Sequence, residues 1–134
     1  MTPREFVEAF RNAVAEYGWA QRLSPGQVVD RYKHVIELVE AGYDDNIYEL
    51  HEDFAVRGLI EWLLHNELLL RFEEFGWVRE QVSELDNRLR SVLQPDPVAP
   101  DIQRPWWEAH APRYGGADLA ADIKDRYGVV IEVR

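Results

Sequence analysis

The sequence predicts a mainly α-helical protein: a bundle of four to five helices with a proline-rich extended arm and a C-terminal short helix plus β-strand. Three patterns predict it. Two similar helix starts occur within the first 30 residues, apolar residues recur at helical spacing, and four prolines fall within residues 95–105. The length of 134 residues fits a single domain. We expect residues 1–94 to form the bundle and residues 95–134 to pack on it.

The first two helices are marked by the same start and stop signals. Thr2–Glu5 combines a capping box with a proline at the first helical position, and Gly18 can end the helix in a left-handed conformation. Ser24–Gln27 repeats the cap, the proline and the box, and Gly42 is the second stop. The two segments are therefore predicted to be helices joined by a short connection.

The pattern is less regular in the next 25 residues. Asp44 or Asp45 can cap a short helix, and the apolar phase shifts after Asp53. A bent helix and two separate helices both fit this shift, and we favour a break at Asp53, with the following helix ending near Asn66. Residues 68–92 again follow helical spacing, and one helix or two helices meeting at Gly76-Trp77 fit equally well.

The last 41 residues begin with the proline-rich segment Gln94–Pro105, which predicts an extended arm. We expect four apolar side chains to hold this arm against the bundle: Val98, Ile102, Trp106 and Trp107.

Beyond the arm, the sequence predicts a turn, a short helix and a strand. The turn is expected at Arg113–Gly116, the helix ends at Gly128, and Val129–Val133 has the strongest strand composition in the chain. No segment is a convincing partner for this strand. It could pair with a weakly patterned segment such as Val98–Ile102, with a second copy in a homodimer or with a different protein. Packed extended chain without pairing is the remaining alternative.

Composition restricts the environment and the partners. The chain has no cysteine, lacks the apolar core of a signal peptide, and contains no uninterrupted apolar run longer than three residues. We therefore expect a soluble, cytoplasmic protein without membrane contact. Arg outnumbers Lys thirteen to two, a bias typical of high-GC bacteria. The formal charge of −10 argues against direct nucleic-acid binding, which requires clustered basic residues.

The most acidic part of the chain is the stretch from His34 to Val56. It holds seven acids and no Lys or Arg, and so carries −7 of the net −10. Helix capping explains two or three of these acids, whereas clustered like charges destabilise a fold by self-repulsion. Tyrosine among carboxylates is also common at interfaces. We predict a partner-binding set around the irregular turn: Tyr43, Asp44, Asp45, Tyr48, Glu49, Glu52 and Asp53.

No motif for catalysis or for a cofactor is present, so neither is predicted. The three serines lack nucleophile signatures, and Gly115-Gly116 is not followed by the residues of a phosphate loop. His51, Glu61 and His65 could contribute to a metal site in an enzyme, although their spacing offers at most pairs of ligands.

Three functions of different classes are compatible with these patterns. The leading hypothesis is a non-enzymatic binding protein, of the inhibitor, immunity or DNA-mimicking type, whose acidic face binds a basic protein. The alternative is an oligomeric structural or assembly subunit that associates through the C-terminal strand or through Trp106-Trp107. A metal-dependent enzyme is the third hypothesis.

Overall fold

The computed structural model of the chain describes residues 3–134 and is mainly helical, with 64% of residues in helices and a small two-stranded sheet. This confirms the predicted fold class. Among the described residues before the proline-rich arm, four helices have ten residues or more, in agreement with the predicted four to five, and the C-terminal short helix follows the arm as predicted. The elements are α1 (Pro3–Tyr17), α2 (Pro25–Glu40), α3 (Ile47–Asp53), α4 (Ala55–Leu64), α5 (Glu67–Leu70), α6 (Phe75–Ser91), α7 (Trp106–Ala109), β1 (Tyr114–Gly115), α8 (Ala117–Tyr127) and β2 (Glu132–Val133).

The chain divides into two compact units. The first unit comprises Met1–Lys33 and Val56–Leu85, and the second comprises His34–Ala55 and Asp86–Arg134. Two of the boundaries fall inside α2 and α6, so each of these helices contributes to both units. The last turns of α6 belong with the C-terminal residues in this division. A single domain with residues 95–134 packed on a bundle of residues 1–94 stays a prediction.

The core of the first unit contains a cluster of phenylalanines. The ring of Phe6 lies 6.0 Å from that of Phe10, 5.5 Å from that of Phe72 and 6.1 Å from that of Phe75, as measured between ring centroids. All four side chains are buried. Tilted and edge-on aromatic pairs at this spacing add to the stabilisation that comes from burial alone.

The signals that delimit the first two helices have their predicted roles. The Ser24 N–H donates to Gln27 Oε1 at 2.8 Å, and the Gln27 N–H donates to Ser24 Oγ at 3.2 Å, which is a reciprocal capping box. Gly18 and Gly42 adopt positive φ angles of 114° and 94° after the two helices. The predicted cap at Thr2 lies outside the described residues.

The break between α3 and α4 is confirmed, since α3 ends at Asp53 and α4 begins at Ala55. α4 ends at Leu64, close to the predicted Asn66, and Asn66 itself caps α5, where its side chain accepts the Leu69 N–H at 3.1 Å. The next break falls between α5 and α6, so Gly76 lies in the first turn of α6 and not at a junction of two helices.

Backbone hydrogen bonds hold the beginning of the proline-rich arm in the second unit. The Gln94 N–H donates to the Ala111 carbonyl and the Val98 N–H donates to the Ala109 carbonyl, both at 2.8 Å. Of the four side chains expected to anchor the arm, Trp107 is 6% exposed and Ile102 is 50% exposed, with the other two in between. Ile102 is therefore not an anchor.

The C-terminal strand has a partner within the chain, which is one of the alternatives that the sequence left open. β2 pairs in parallel with β1, so that Tyr114 is opposite Glu132 and Gly115 is opposite Val133. Parallel strands need a crossover, and α8 provides it between the two. The Arg113–Gly116 segment is thus part strand, and Val98–Ile102 is not the partner. The predicted end of α8 is confirmed, since Gly128 has a φ of +68°.

No helix in the described part of the chain is long and apolar enough to cross a membrane.

Candidate functional site

The start of α3 is capped by residues other than those predicted. The Asn46 side chain accepts the Glu49 N–H at 2.9 Å, and Asp122 on α8 accepts the Ile47 N–H at 3.1 Å. These bonds satisfy two of the backbone donors that every helix start leaves without a helical partner. The prediction that Asp44 or Asp45 caps this helix is therefore wrong. Asp45 only accepts the N–H of its neighbour, Asn46.

α3 has one buried and one exposed face. Ile47, Leu50 and the following Phe54 are buried. Between them, Tyr48, Glu49 and Glu52 are exposed at helical spacing, and Tyr48 is 64% exposed. With the two exposed aspartates that precede the helix, this face defines the acidic surface: Asp44, Asp45, Tyr48, Glu49 and Glu52.

Two residues of the predicted partner-binding set turn inward and are not part of this surface. Tyr43 is only 4% exposed, and its hydroxyl donates to Oδ2 of the half-buried Asp53 at 2.5 Å. Burial is the main reason that the pKa of Tyr43 is raised, and the hydrogen bond to Asp53 adds to it. The negative charges of Asp45 and Glu49 raise the pKa of Tyr43 further. The buried hydroxyl is therefore close enough to the acidic surface to be affected by its charge.

Positive groups from distant parts of the sequence approach the acidic stretch, which has none of its own. Arg88 forms a two-pronged ion pair with Glu40, with nitrogen–oxygen distances of 2.6 and 3.2 Å. The Arg126 guanidinium lies 4.4 Å from the centroid of the Tyr48 ring and hydrogen-bonds to its hydroxyl. From the sequence alone, Arg126 is an ordinary cation in the last turn of a helix, where the macrodipole favours it.

The remaining carboxylates of the acidic surface are not used by the fold. The side chains of Asp44, Glu49 and Glu52 form no hydrogen bond or ion pair with any residue in the described range 3–134. All three are exposed. The structure therefore leaves three exposed carboxylates on the same segment as Tyr48, whose ring already binds one guanidinium.

A second feature of the same unit is a cavity beside His51. Its polar lining includes Glu108, His110 and Tyr127, and the Tyr127 hydroxyl accepts a hydrogen bond from Arg104 at 2.7 Å. Burial lowers the pKa of His51, partly opposed by the negative charge of Glu108. The cavity volume is only about 20 Å³, room for roughly one water molecule. A substrate does not fit there in this structure.

The three residues of the metal hypothesis are distributed over both units. Glu61 and His65 are neighbours on one side of α4, with His65 Nδ1 3.5 Å from Glu61 Oε2 and 2.9 Å from the Glu61 carbonyl oxygen. Glu61 also pairs with the buried Arg57 at 3.2 Å. His51 belongs to the second unit. Within residues 3–134, no group of three or more His, Asp or Glu side chains could hold a metal ion.

Comparison of the chain with protein-family models, with curated proteins and with solved structures finds no significant match.

Proposed function

We propose that the acidic surface binds a basic protein partner, and that the chain is a non-enzymatic binding protein of the inhibitor or immunity type. The observation that carries this proposal is the set of exposed carboxylates on Asp44, Glu49 and Glu52, which pair with no described residue and lie on the same segment as the exposed Tyr48.

The carboxylates are not explained by helix capping. Asn46 and Asp122 already bind the backbone N–H groups at the start of α3. Glu49 gains some stabilisation from its position in the first turn, about 0.3–1 kcal/mol. The others add like charge to a protein of net charge −10, which opposes folding. Binding to a positively charged partner would explain why these acids are present although their mutual repulsion destabilises the fold.

The contact between Tyr48 and Arg126 is a local example of the recognition that we propose. A guanidinium over a tyrosine face gains cation–π attraction. An arginine of the partner would find the same ring flanked by the carboxylates of Glu49 and Glu52, which are suited to two-pronged pairing. Tyrosine and arginine are both enriched among the residues that dominate binding energies at interfaces.

The opposite charges would also accelerate the encounter. Complementary fields raise association rates well above those of neutral pairs, and added salt screens the effect. An inhibitor of a cationic toxin or nuclease benefits from fast capture. If the partner is a nuclease, the acidic surface would occupy the position of the DNA phosphates, as in a DNA mimic.

The test is a comparison of three forms of the full chain used to capture proteins from native lysate of the source cells. These are the unmodified chain, Glu49→Lys/Glu52→Lys, and the control Glu80→Lys/Glu84→Lys on α6. Both double variants replace two exposed glutamates about one helical turn apart, and both change the net charge from −10 to −6.

We expect a basic protein to be captured by the unmodified chain and by the control, and lost from Glu49→Lys/Glu52→Lys. If the captured basic protein is a toxin or a nuclease, its activity should fall when it is bound to the unmodified chain. Capture of the same proteins by all three forms would contradict the proposal, because it would make net charge or another surface responsible. Failure of the unmodified chain to retain any basic protein would contradict it as well.

A further inference from the structure

The second unit also contains a basic pocket of about 250 Å³, formed by residues outside the acidic surface. Its lining combines the guanidinium groups of Arg90 and Arg113 with the polar side chains of His110 and Gln94 and with three apolar residues, Leu93, Pro95 and Trp106.

The positive charges of this pocket are not neutralised within the chain. Neither Arg90 nor Arg113 pairs with a carboxylate of the described residues 3–134, and no residue found in the pocket lining is acidic. The chain has 25 acids and 15 bases, so carboxylates are plentiful elsewhere. A pocket lined by two guanidinium groups and no carboxylate is therefore locally positive in a protein whose net charge is negative.

Backbone contacts fix the two segments that carry the cations. The Arg113 N–H donates to the Val92 carbonyl at 2.8 Å, and the Gln94 N–H donates to the Ala111 carbonyl at the same distance. His110 Nδ1 lies 2.9 Å from the Gln94 carbonyl oxygen. A carbonyl oxygen can only accept a hydrogen bond, so Nδ1 carries the hydrogen and the His110 ring is held against the Gln94 backbone. Because these bonds already fix the backbone on both sides of the pocket, less conformational entropy is lost when a ligand binds.

The apolar wall is also fixed in place. The Trp106 ring packs edge-on against the buried Trp107, with centroids 5.7 Å apart and an interplanar angle of 88°. The Arg90 guanidinium lies 4.1 Å from the Trp106 ring centroid. One cation is thus held beside a flat aromatic surface, which is a suitable arrangement for a ligand with a ring next to its charge.

We propose that the basic pocket binds a small organic anion in which a carboxylate or phosphate group is attached to a flat ring. The guanidinium groups of Arg90 and Arg113 match the geometry of either anion, and Trp106 contacts the ring. A pocket of about 250 Å³ is near the lower end of ordinary small-molecule sites, which suits a metabolite-sized ligand and not a folded partner. This inference is independent of the proposed protein-binding function.

The experiment titrates the full chain with four probes and follows the Trp106 indole N–H resonance by NMR, assigned with Trp106→Phe. The probes are benzoate, phenyl phosphate, inorganic phosphate and uncharged benzamide. We expect benzoate or phenyl phosphate to bind with a Kd of about 1 mM or tighter, which is reasonable for ligands of this size. Whichever of the two binds more tightly identifies the anionic group. Benzamide should not bind.

Two matched variants locate the site. Arg90→Gln/Arg113→Gln should weaken binding by about tenfold or more, because charge-assisted hydrogen bonds are lost. Arg71→Gln/Arg79→Gln removes the same charge from exposed positions of the first unit and should leave binding unchanged. If the double variant fails to fold, Arg113→Gln alone replaces it, because Arg113 is exposed. We then expect binding to be weakened, but by less than in the double variant.

Three outcomes would overturn the proposal. The first is the absence of any shift of the Trp106 resonance at about 10 mM benzoate and phenyl phosphate, well above the expected Kd. The second is equal weakening in the pocket variant and its control. The third is inorganic phosphate binding as tightly as phenyl phosphate with no benzoate binding, since the ring would then contribute nothing.

Discussion

The guanidinium of Arg126 lies over the ring of Tyr48, 4.4 Å from its centroid, on the exposed side of α3. Tyr48 is the aromatic centre of the acidic surface, and Arg126 comes from α8, which packs against α3. The hydrogen bond to the Tyr48 hydroxyl raises the pKa of Arg126, so this cation stays charged at any physiological pH. The chain thus places one positive charge of its own where a basic partner would add another.

Removing this internal cation should therefore strengthen partner binding. We expect Arg126→Gln to raise the association rate by roughly twofold to tenfold at low salt, because it frees the Tyr48 ring and makes the surface more negative. Stopped-flow mixing with the captured partner measures the rate. Lys33→Gln, an exposed change of the same charge in the first unit, is the control. Equal rates for Arg126→Gln and the unmodified chain would show that Arg126 does not compete with the partner.

The hydrogen bond between Tyr43 and Asp53 should be worth about 1–2 kcal/mol of the free energy of unfolding. Tyr43→Phe leaves the half-buried Asp53 carboxylate without its donor, and urea denaturation near neutral pH measures the loss. Tyr17→Phe is the control, since Tyr17 is 40% exposed and its hydroxyl makes no hydrogen bond with the described residues. A loss no larger than that of the control would mean that the bond contributes nothing.

Tyr43 should also make the protein less stable at alkaline pH. Its pKa is raised in the folded state, mainly by burial, so above about pH 10 the unfolded chain loses this proton while the folded chain keeps it. The stability contribution is thus complete below pH 10 and falls as the pH rises, by at most about 1.4 kcal/mol per pH unit. Tyr43→Phe should remove this part of the dependence. Parallel curves for both proteins between about pH 9 and pH 11 would contradict it.

His51 should contribute to the loss of stability on the acid side. Burial lowers its pKa in the folded state, so below about pH 6.5 the unfolded chain takes up a proton that the folded chain resists. The contribution of His51 is complete above pH 6.5 and is lost as the pH falls from there towards the lowered value. We expect the free energy of unfolding of His51→Gln to decrease less between about pH 7 and pH 5. An unchanged slope would show that His51 is protonated equally in both states.

Gly116 should be intolerant of a side chain because it lies against the segment that carries the acidic surface. A methyl group there would be 3.0 Å from Asp44 Oδ1 and 3.1 Å from the Tyr43 carbonyl oxygen. We expect Gly116→Ala to lower the melting temperature and to cost about 1–3 kcal/mol. Gly76→Ala is the matched control. It has open space around it in the first turn of α6, and should be neutral or stabilising by up to about 1 kcal/mol. Equal effects of the two changes would contradict this interpretation.

Local signals predicted the helices well, because caps and glycine stops act within a few residues. The Ser24–Gln27 box, the left-handed Gly128 and the break after Asp53 all follow from such signals. The cap of α3 could not be assigned in the same way. Asp44, Asp45 and Asn46 stand in a row, and all are good caps by composition. Only the fold selects Asn46.

Features built from distant residues were not predictable from a single sequence. β1 is two residues long and includes Gly115, so it has no strand composition, and its pairing with β2 depends on the crossover through α8. Arg90 and Arg113 are 23 positions apart, and only the pairing of the proline-rich arm with residues 109–113 brings them to one pocket. In the same way, burial removed Tyr43 from the predicted surface although its sequence neighbours are exposed.

The most direct test of the acidic surface is the salt dependence of the association rate with the captured partner. We predict that the rate for the unmodified chain and for Glu80→Lys/Glu84→Lys falls steeply as the salt concentration rises from about 0.01 M to 0.15 M, over which screening becomes strong. For Glu49→Lys/Glu52→Lys the rate should be low already at the lowest salt and nearly constant. Identical curves for all three proteins would contradict the claim that these carboxylates guide a basic partner to α3.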